Sequence, residues 1–260
     1  YLEGDGDFRS DEVKKLRDEA DIIITNPPFS LFRVFLAWIV EAKKQFIIIG
    51  NINCVTYKEV FPLIQNNSVW MGCTIHSGDR EFEVPEGYPL KAAGWRIDEN
   101  GKKYIRVKGV RWYTNIDHGR RHHPLELMTM ADNIKYSKHK EVKGKQYSVY
   151  DNFKAIDVPY TDAIPKDYDD IMGVPITFLD KYYPEQFEII GITKTWFGMA
   201  NKVYPKQIQV SKTGKKSVVT KLNDGAAIEV DGPIEGDVYY IVDGKYYTQA
   251  YARILIRKKR

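Results

Sequence analysis

The sequence predicts an open α/β sheet followed by a β-rich α+β region. Three observations carry this. Two apolar, β-branched runs, Ile22–Thr25 and Phe46–Ile49, flank an amphipathic stretch from Ser30 to Lys44. Strand, helix and strand thus fall within about thirty residues, the spacing of a parallel βαβ unit with a right-handed crossover. Beyond roughly residue 120, short β-rich runs alternate with proline-containing loops at Pro159, Pro165, Pro175, Pro184 and Pro205.

Along the chain, Ser10 is placed to cap a helix, with Asp11 and Glu12 in its first turn, where carboxylates oppose the helix dipole. Val13, Leu16 and Ala20 recur at helical spacing. Ile22–Thr25 is uncharged and rich in isoleucine, so it is expected to be a strand covered on both faces. From Ser30 to Lys44 the aromatics Phe32, Phe35 and Trp38 share a wide apolar helix face with Leu31, Leu36 and Ile39, and are expected in the core. Phe46–Ile49 is the next buried strand, closed by Gly50 and Asn51; Asn51 and Asn53 then fall where a site would be lined. A short helix (Tyr57–Gln65), a strand (Val69–Ile75), a loop (His76–Pro89) and a long strand (Tyr104–Ile116) are expected next. Further on, Met172–Phe178 and Phe187–Gly191 read as structured segments, and Tyr239–Ile256 as two β-rich runs turning at Gly244. The change of pattern predicts two domains, 1–120 and 121–260.

Composition narrows the class. Hydrophobic residues make up 43% of the 260, enough for a substantial core. Cys54 and Cys73 match neither a zinc spacing nor a disulfide framework, which points to free thiols in a reducing compartment, the cytoplasm. No uncharged run is long enough to span a membrane; the best, Leu31–Val40, contains Arg33. The chain starts without methionine or a signal-peptide core, so Tyr1 reads as an internal start.

The net charge of +4 is mild, but its distribution is uneven. Between Lys102 and Arg121 seven cations stand against Asp117 alone, and Lys202–Lys221 holds six lysines and no acid. The chain ends Arg257-Lys258-Lys259-Arg260, whereas acids gather at Asp157, Asp162, Asp167, Asp169 and Asp170. Such segregation is a nucleic-acid footprint if the basic segments share a face, and a set of separate solvated faces if they do not. The lysine run, interrupted by Thr213-Gly214, suits a hairpin or loop on phosphates. His76, His118, His122 and His123 have no cysteine partner and basic neighbours, which favours phosphate contact or plain surface over a metal. No metal is expected.

The stretch that organises the rest is Asn26-Pro27-Pro28-Phe29, directly after the first strand. Each proline fixes φ and removes a donor, and Pro28 pushes Pro27 out of helical geometry. An ordinary proline-pair turn would look the same. At the carboxyl end of a strand in an open α/β sheet, however, such a turn holds the Asn26 amide and the neighbouring carbonyls rigid where ligands bind.

Asn-Pro-Pro-Phe after an apolar strand resembles the catalytic motif of amino-group methyltransferases that use S-adenosylmethionine. An exocyclic amine such as adenine N6 is a poor nucleophile because its lone pair is delocalised into the ring. By the resemblance, the Asn26 side-chain oxygen and the Pro27 carbonyl would hold its two hydrogens, and Phe29 would stack on the base. Placement dominates such a transfer. Asp7-Phe8, one helix before the strand, matches the family's acidic–apolar pair: Asp7 would accept from the cofactor adenine and Phe8 would pack on its ring. Phe82 is the candidate for clamping a flipped base.

Together with the Arg111–Asn115 strand and the Gly173–Gly191 stretch, these features are most similar to the EcoRI-type adenine-specific DNA methyltransferases of bacterial restriction–modification systems. The resemblance implies a Rossmann-like S-adenosylmethionine-dependent sheet, incomplete at its N-terminus, then a target-recognition domain. The glycine-rich cofactor loop and the ribose-binding acid are expected upstream of Tyr1. It further implies S-adenosylmethionine as cofactor, double-stranded DNA as substrate and a restriction endonuclease of the same specificity as functional partner. Protein-glutamine or RNA-guanine methyltransferases with the same motif, and a non-catalytic DNA-binding module, are the alternatives.

Overall fold

The structure, a computed structural model, describes residues 2–73, 80–91 and 94–259. The chain divides into two compact units, with the break between His118 and Gly119.

In the first unit, helix α1 (Asp11–Glu19) starts at Ser10, whose hydroxyl accepts from the Val13 amide at 3.3 Å. Strand β1 (Ile22–Thr25) follows, then a 3-10 turn at Phe29–Leu31 and helix α2 (Phe32–Glu41), which buries Phe32, Phe35, Leu36 and Ile39. Helix α1 buries none of its own residues. It is held instead by Arg17, which donates to the Trp38 carbonyl at 3.0 Å and lies 4.7 Å from the Trp38 ring. Strand β2 (Gln45–Asn51), a 3-10 turn at Ile52–Thr56, helix α3 (Phe61–Gln65) and strand β3 (Trp70–Met71) come next. Strands β4 (Arg80–Val84), β5 (Trp95–Ile97), β6 (Lys103–Val107) and β7 (Val110–Thr114) complete the unit.

The main sheet has the order β1-β2-β7-β3, with β1 parallel to β2 and β7 antiparallel to both its neighbours. A separate three-stranded sheet has the order β4-β6-β5.

Four sequence expectations change here. Strand β1 is not covered on both faces, since Ile22 and Ile24 are 46% and 67% exposed. Within this chain it stands at the edge of the four-stranded sheet. The long strand Tyr104–Ile116 is two strands in two sheets, separated at Gly109, whose φ of +70° turns the chain. Phe82 lies in strand β4 rather than in a loop. The helix expected at Tyr57–Gln65 is regular only from Phe61. Thr74, Ile75 and His76, and the terminal Arg260, lie outside the described residues.

The second unit contains helix α4 (Met130–Tyr136), whose cap Thr129 accepts from the Asp132 amide at 3.0 Å. Its strands are β8 (Ile156–Asp157), β9 (Met172–Pro175), β10 (Phe187–Ile192), β11 (Gln207–Val210), β12 (Lys216–Val219), β13 (Ala226–Val230), β14 (Tyr239–Val242), β15 (Lys245–Ala250) and β16 (Arg253–Lys258). They form two sheets, β10-β16-β9-β8 and β12-β11-β14-β15-β13. The β14–β15 turn uses positive φ at Asp243 and Gly244, 49° and 80°, as a two-residue hairpin requires. The two β-rich runs expected at Tyr239–Ile256 are three strands, because β16 leaves for the other sheet. Tyr204, Tyr240 and Tyr247 pack with Leu222 and Val242 under the five-stranded sheet. Nearby, Asp157 accepts from the Tyr150 hydroxyl and from Arg253 Nε at 2.9 Å, so the buried charges are paired.

Candidate active site

Parallel pairing of β1 and β2 sets Thr25 opposite Ile48 and places Asn26 beside the last residues of β2. Strand β7 enters at this same sheet edge, with Val110 opposite Asn51. Within the motif, Pro27 is buried while Asn26, Pro28 and Phe29 are exposed. The Pro28 carbonyl accepts from the Leu31 amide at 2.9 Å, so the motif passes through one 3-10 turn directly into α2.

What fixes the turn from beneath is Phe32, the first residue of α2. It is fully buried, and its ring centroid lies 4.8 Å from that of Tyr113 on β7. Both rings press on Gly50: a Cβ there would stand 2.4 Å from Phe32 Cε2 and 2.9 Å from Tyr113 Cε2. The Tyr113 hydroxyl donates to the Asn51 carbonyl at 2.8 Å. The Asn51 side chain accepts from the Asn53 amide and donates to the Lys108 carbonyl, each at 2.9 Å. Asn51 is therefore committed to holding the loop, whereas Asn53 is exposed. Among the described residues no partner takes the Asn26 amide, which leaves its oxygen available to a donor from outside the chain.

Asp7 and Phe8 sit on the loop before α1. The Phe8 ring is edge-on to Phe35 at 5.1 Å and to Trp38 at 5.5 Å, so this loop docks on the helix that leaves the Asn26 turn. Arg9 forks the Asp7 carboxylate, with Nε 2.9 Å from Oδ1, and its backbone amide donates to the same oxygen at 2.9 Å. These hydrogen bonds, the side-chain one first, hold the Asp7 carboxyl down at about 2. Asp7 is therefore ionised at neutral pH. Each Asp7 oxygen thus accepts two hydrogen bonds, the Nε proton being shared between them, so a further donor would displace the longer 3.2 Å contact of Nε to Oδ2.

The remaining candidates separate. His118 Nε2 lies 2.9 Å from the Met71 carbonyl and ties the end of the first unit to its own sheet. His122 ends a 3-10 turn at Gly119–His122, and His123 lines a cavity of about 430 Å³ with Arg120, Lys181 and Asp162. Among the described residues, no three His, Cys, Asp or Glu side chains gather as a metal site. Cys54 is buried, which pushes its thiol pKa up, and Cys73 is exposed; neither is in a disulfide.

The lysine run is indeed a hairpin. Strands β11 and β12 pair antiparallel, and Ser211 and Lys215 close the tip through a 2.9 Å backbone bond. Lys212, Lys215 and Lys216 are exposed on it. Lys202 is not part of that surface: it pairs with Asp151, which also accepts from the Tyr204 hydroxyl at 2.6 Å. Trp95, half exposed on β5, went unnoticed in the sequence. The alternation Arg80-Glu81-Phe82-Glu83-Val84, a strand signal, would have located its sheet.

A family model described as "Adenine-specific methyltransferase EcoRI" matches residues 1–259. The chain belongs to this EcoRI-type adenine-specific methyltransferase family. It is 47% identical over 191 residues to the Type II methyltransferase M.EcoRI of Escherichia coli, covering 74% of this chain and 56% of that protein. It is 31% identical over 262 residues to the Type II methyltransferase M.MgeORF184P of Mycoplasma genitalium, covering 100% of this chain and 71% of that protein. With the Type II methyltransferase M.MpnI of Mycoplasma pneumoniae it shares 34% identity over 192 residues, 73% of this chain and 57% of the relative. The chain thus spans little more than half of the curated M.EcoRI. No solved structure matches.

Proposed function

We propose that the protein carrying this chain is a site-specific DNA methyltransferase that transfers a methyl group from S-adenosylmethionine to adenine N6 in double-stranded DNA. Its functional partner would be a restriction endonuclease of the same specificity in a bacterial cytoplasm. The observation that carries the reading is the exposed Asn26 amide, held at the carboxyl edge of a parallel strand pair by a buried proline and by the Phe32–Gly50–Tyr113 contact. Asn26 Oδ1 and the Pro27 carbonyl accept from the two N6 hydrogens and turn the nitrogen lone pair toward the methyl donor. Phe29, 38% exposed, offers its ring to the base. An adenine inside a duplex must leave the stack to reach this edge.

The residues present fit the adenine end of the cofactor: the ionised Asp7 accepts from its amino group, and the Phe8 loop sits beside α2. When bound, S-adenosylmethionine supplies an electrophilic methyl group on a sulfonium. We read the first unit as the C-terminal part of a Rossmann-like catalytic domain, supported by the order β1-β2-β7-β3 with one antiparallel strand. The second unit is read as the target-recognition domain, supported by the exposed lysines of the β11–β12 hairpin. Among the described residues no helix is long and apolar enough to cross a membrane.

The test is incubation of the full-length protein with tritiated S-adenosylmethionine and unmethylated DNA, followed by mass spectrometry of the nucleosides. N6-methyladenine is expected, and absence of transfer to DNA would overturn the proposal.

A further inference from the structure

The three-stranded sheet β4–β6–β5 has, among the described residues, no layer over its apolar side. Its register sets Phe82 opposite Ile105 and Ile105 opposite Trp95, with Val84, Lys103 and Ile97 in the next such row. Alternation along the strands puts both rows on one face. Phe82, Trp95 and Ile97 are each 50% exposed. The acids lie on the other face, where Arg96 pairs with Glu81 at 2.9 Å, and Lys102 reaches Glu83 at 3.0 Å. The apolar face therefore carries Arg80, and Lys103 whose ammonium donates to the Glu86 carbonyl, and no strand carboxylate.

Where this sheet leaves and rejoins the main one says what it meets. The chain departs after β3, with Met71 opposite Tyr113, and returns at Val110, opposite Asn51. That return point is the edge carrying Asn26. An exposed apolar patch rimmed by polar residues marks an interaction site. Flat rings flanked by a cation fit unstacked nucleobase faces next to phosphates. We propose that this face is a nucleobase-contacting surface, distinct from Asn26–Phe29 and from the lysine hairpin, in which Phe82 and Trp95 lie against bases left unstacked when the target adenine leaves the duplex, and Arg80 sits on an adjoining phosphate. The proposal rests on the DNA reading given above.

The test uses the full-length protein with Phe82→Ala and Trp95→Ala combined, measured against duplex DNA and against inorganic polyphosphate, a polyanion without bases. DNA affinity should fall by about tenfold or more, the scale of base–aromatic stacking removed by alanine, while polyphosphate binding holds. Trp95→Phe, which keeps a flat ring, should restore most of what Trp95→Ala forfeits, and Arg80→Gln should lower the salt slope of DNA binding by about one. Unchanged DNA affinity in the double variant would overturn the proposal, as would an equal fall on both polyanions. Failure of the parent protein to bind DNA would remove this surface together with the DNA reading, which separates the two failures.

Discussion

Gly50→Ala is the sharpest probe of how the Asn26 turn is held. The added Cβ would stand 2.4 Å from Phe32 Cε2 and 2.8 Å from its Cζ. Carbon atoms rest at about 3.5–4.0 Å, so the Phe32 ring must retreat by roughly 1 Å or more. It has nowhere to go, because Phe32 and Tyr113 are both 0% exposed. Overpacking of this kind costs about 1–3 kcal/mol. At an m-value of about 2 kcal/mol/M, that lowers the urea midpoint by roughly 0.5–1.5 M. Within these 260 residues four of the five tryptophans, Trp38, Trp70, Trp95 and Trp112, lie in the first unit, so in this chain a Trp196→Phe background leaves tryptophan fluorescence to that unit. The same displacement, passed through Phe29–Leu31 to the motif, should slow methyl transfer about 10²-fold, the usual penalty for a misplacement near 1 Å. Phe32→Leu should partly rescue Gly50→Ala, although it is destabilising on its own. An unchanged midpoint in Gly50→Ala, or no rescue, would refute the steric argument.

Other consequences are open to direct measurement. Asn26→Ala removes an exposed side chain, so the urea midpoint should stay put while methyl transfer falls by about 10²-fold or more, as for other positioned polar groups; retained turnover would take Asn26 out of the mechanism. Replacing Lys212, Lys215 and Lys216 with alanine should weaken DNA binding and reduce its salt slope by about 0.9 for each phosphate that the lysines neutralise; an equal slope in parent and variant would move the phosphate-binding face elsewhere. Arg9→Gln should raise the Asp7 pKa from about 2 toward its ordinary 3.8, read by NMR titration. Because the folded-state value is depressed, the stability that Asp7 contributes is complete above its ordinary value and is lost as the pH falls through about 2. An unmoved midpoint would show that Arg9 is not what holds the carboxyl down.

Local chemistry was enough for the elements whose causes lie within a few residues. Ser10 caps α1, the Ile22–Thr25 run is a strand stopped by Pro27-Pro28, α2 buries Phe32, Phe35, Leu36 and Ile39, and Thr213-Gly214 turns a hairpin. The Asn-Pro-Pro-Phe motif was legible for the same reason, since two prolines fix their own geometry whatever surrounds them. Burial and partnership were not legible, because they depend on what lies across the fold. Only the tertiary structure divides Tyr104–Ile116 between two sheets at Gly109. Lys202 reads as one more lysine in a basic run until Asp151, distant in sequence, pairs with it. Asn51 reads as a possible lining residue until Tyr113, Asn53 and Lys108 engage its polar groups. Sequence alone thus singled out the groups proposed to carry the chemistry; the packing of Phe32 and Tyr113 on Gly50 decided where they are held, because a side chain has no fixed position until its neighbours exclude the others.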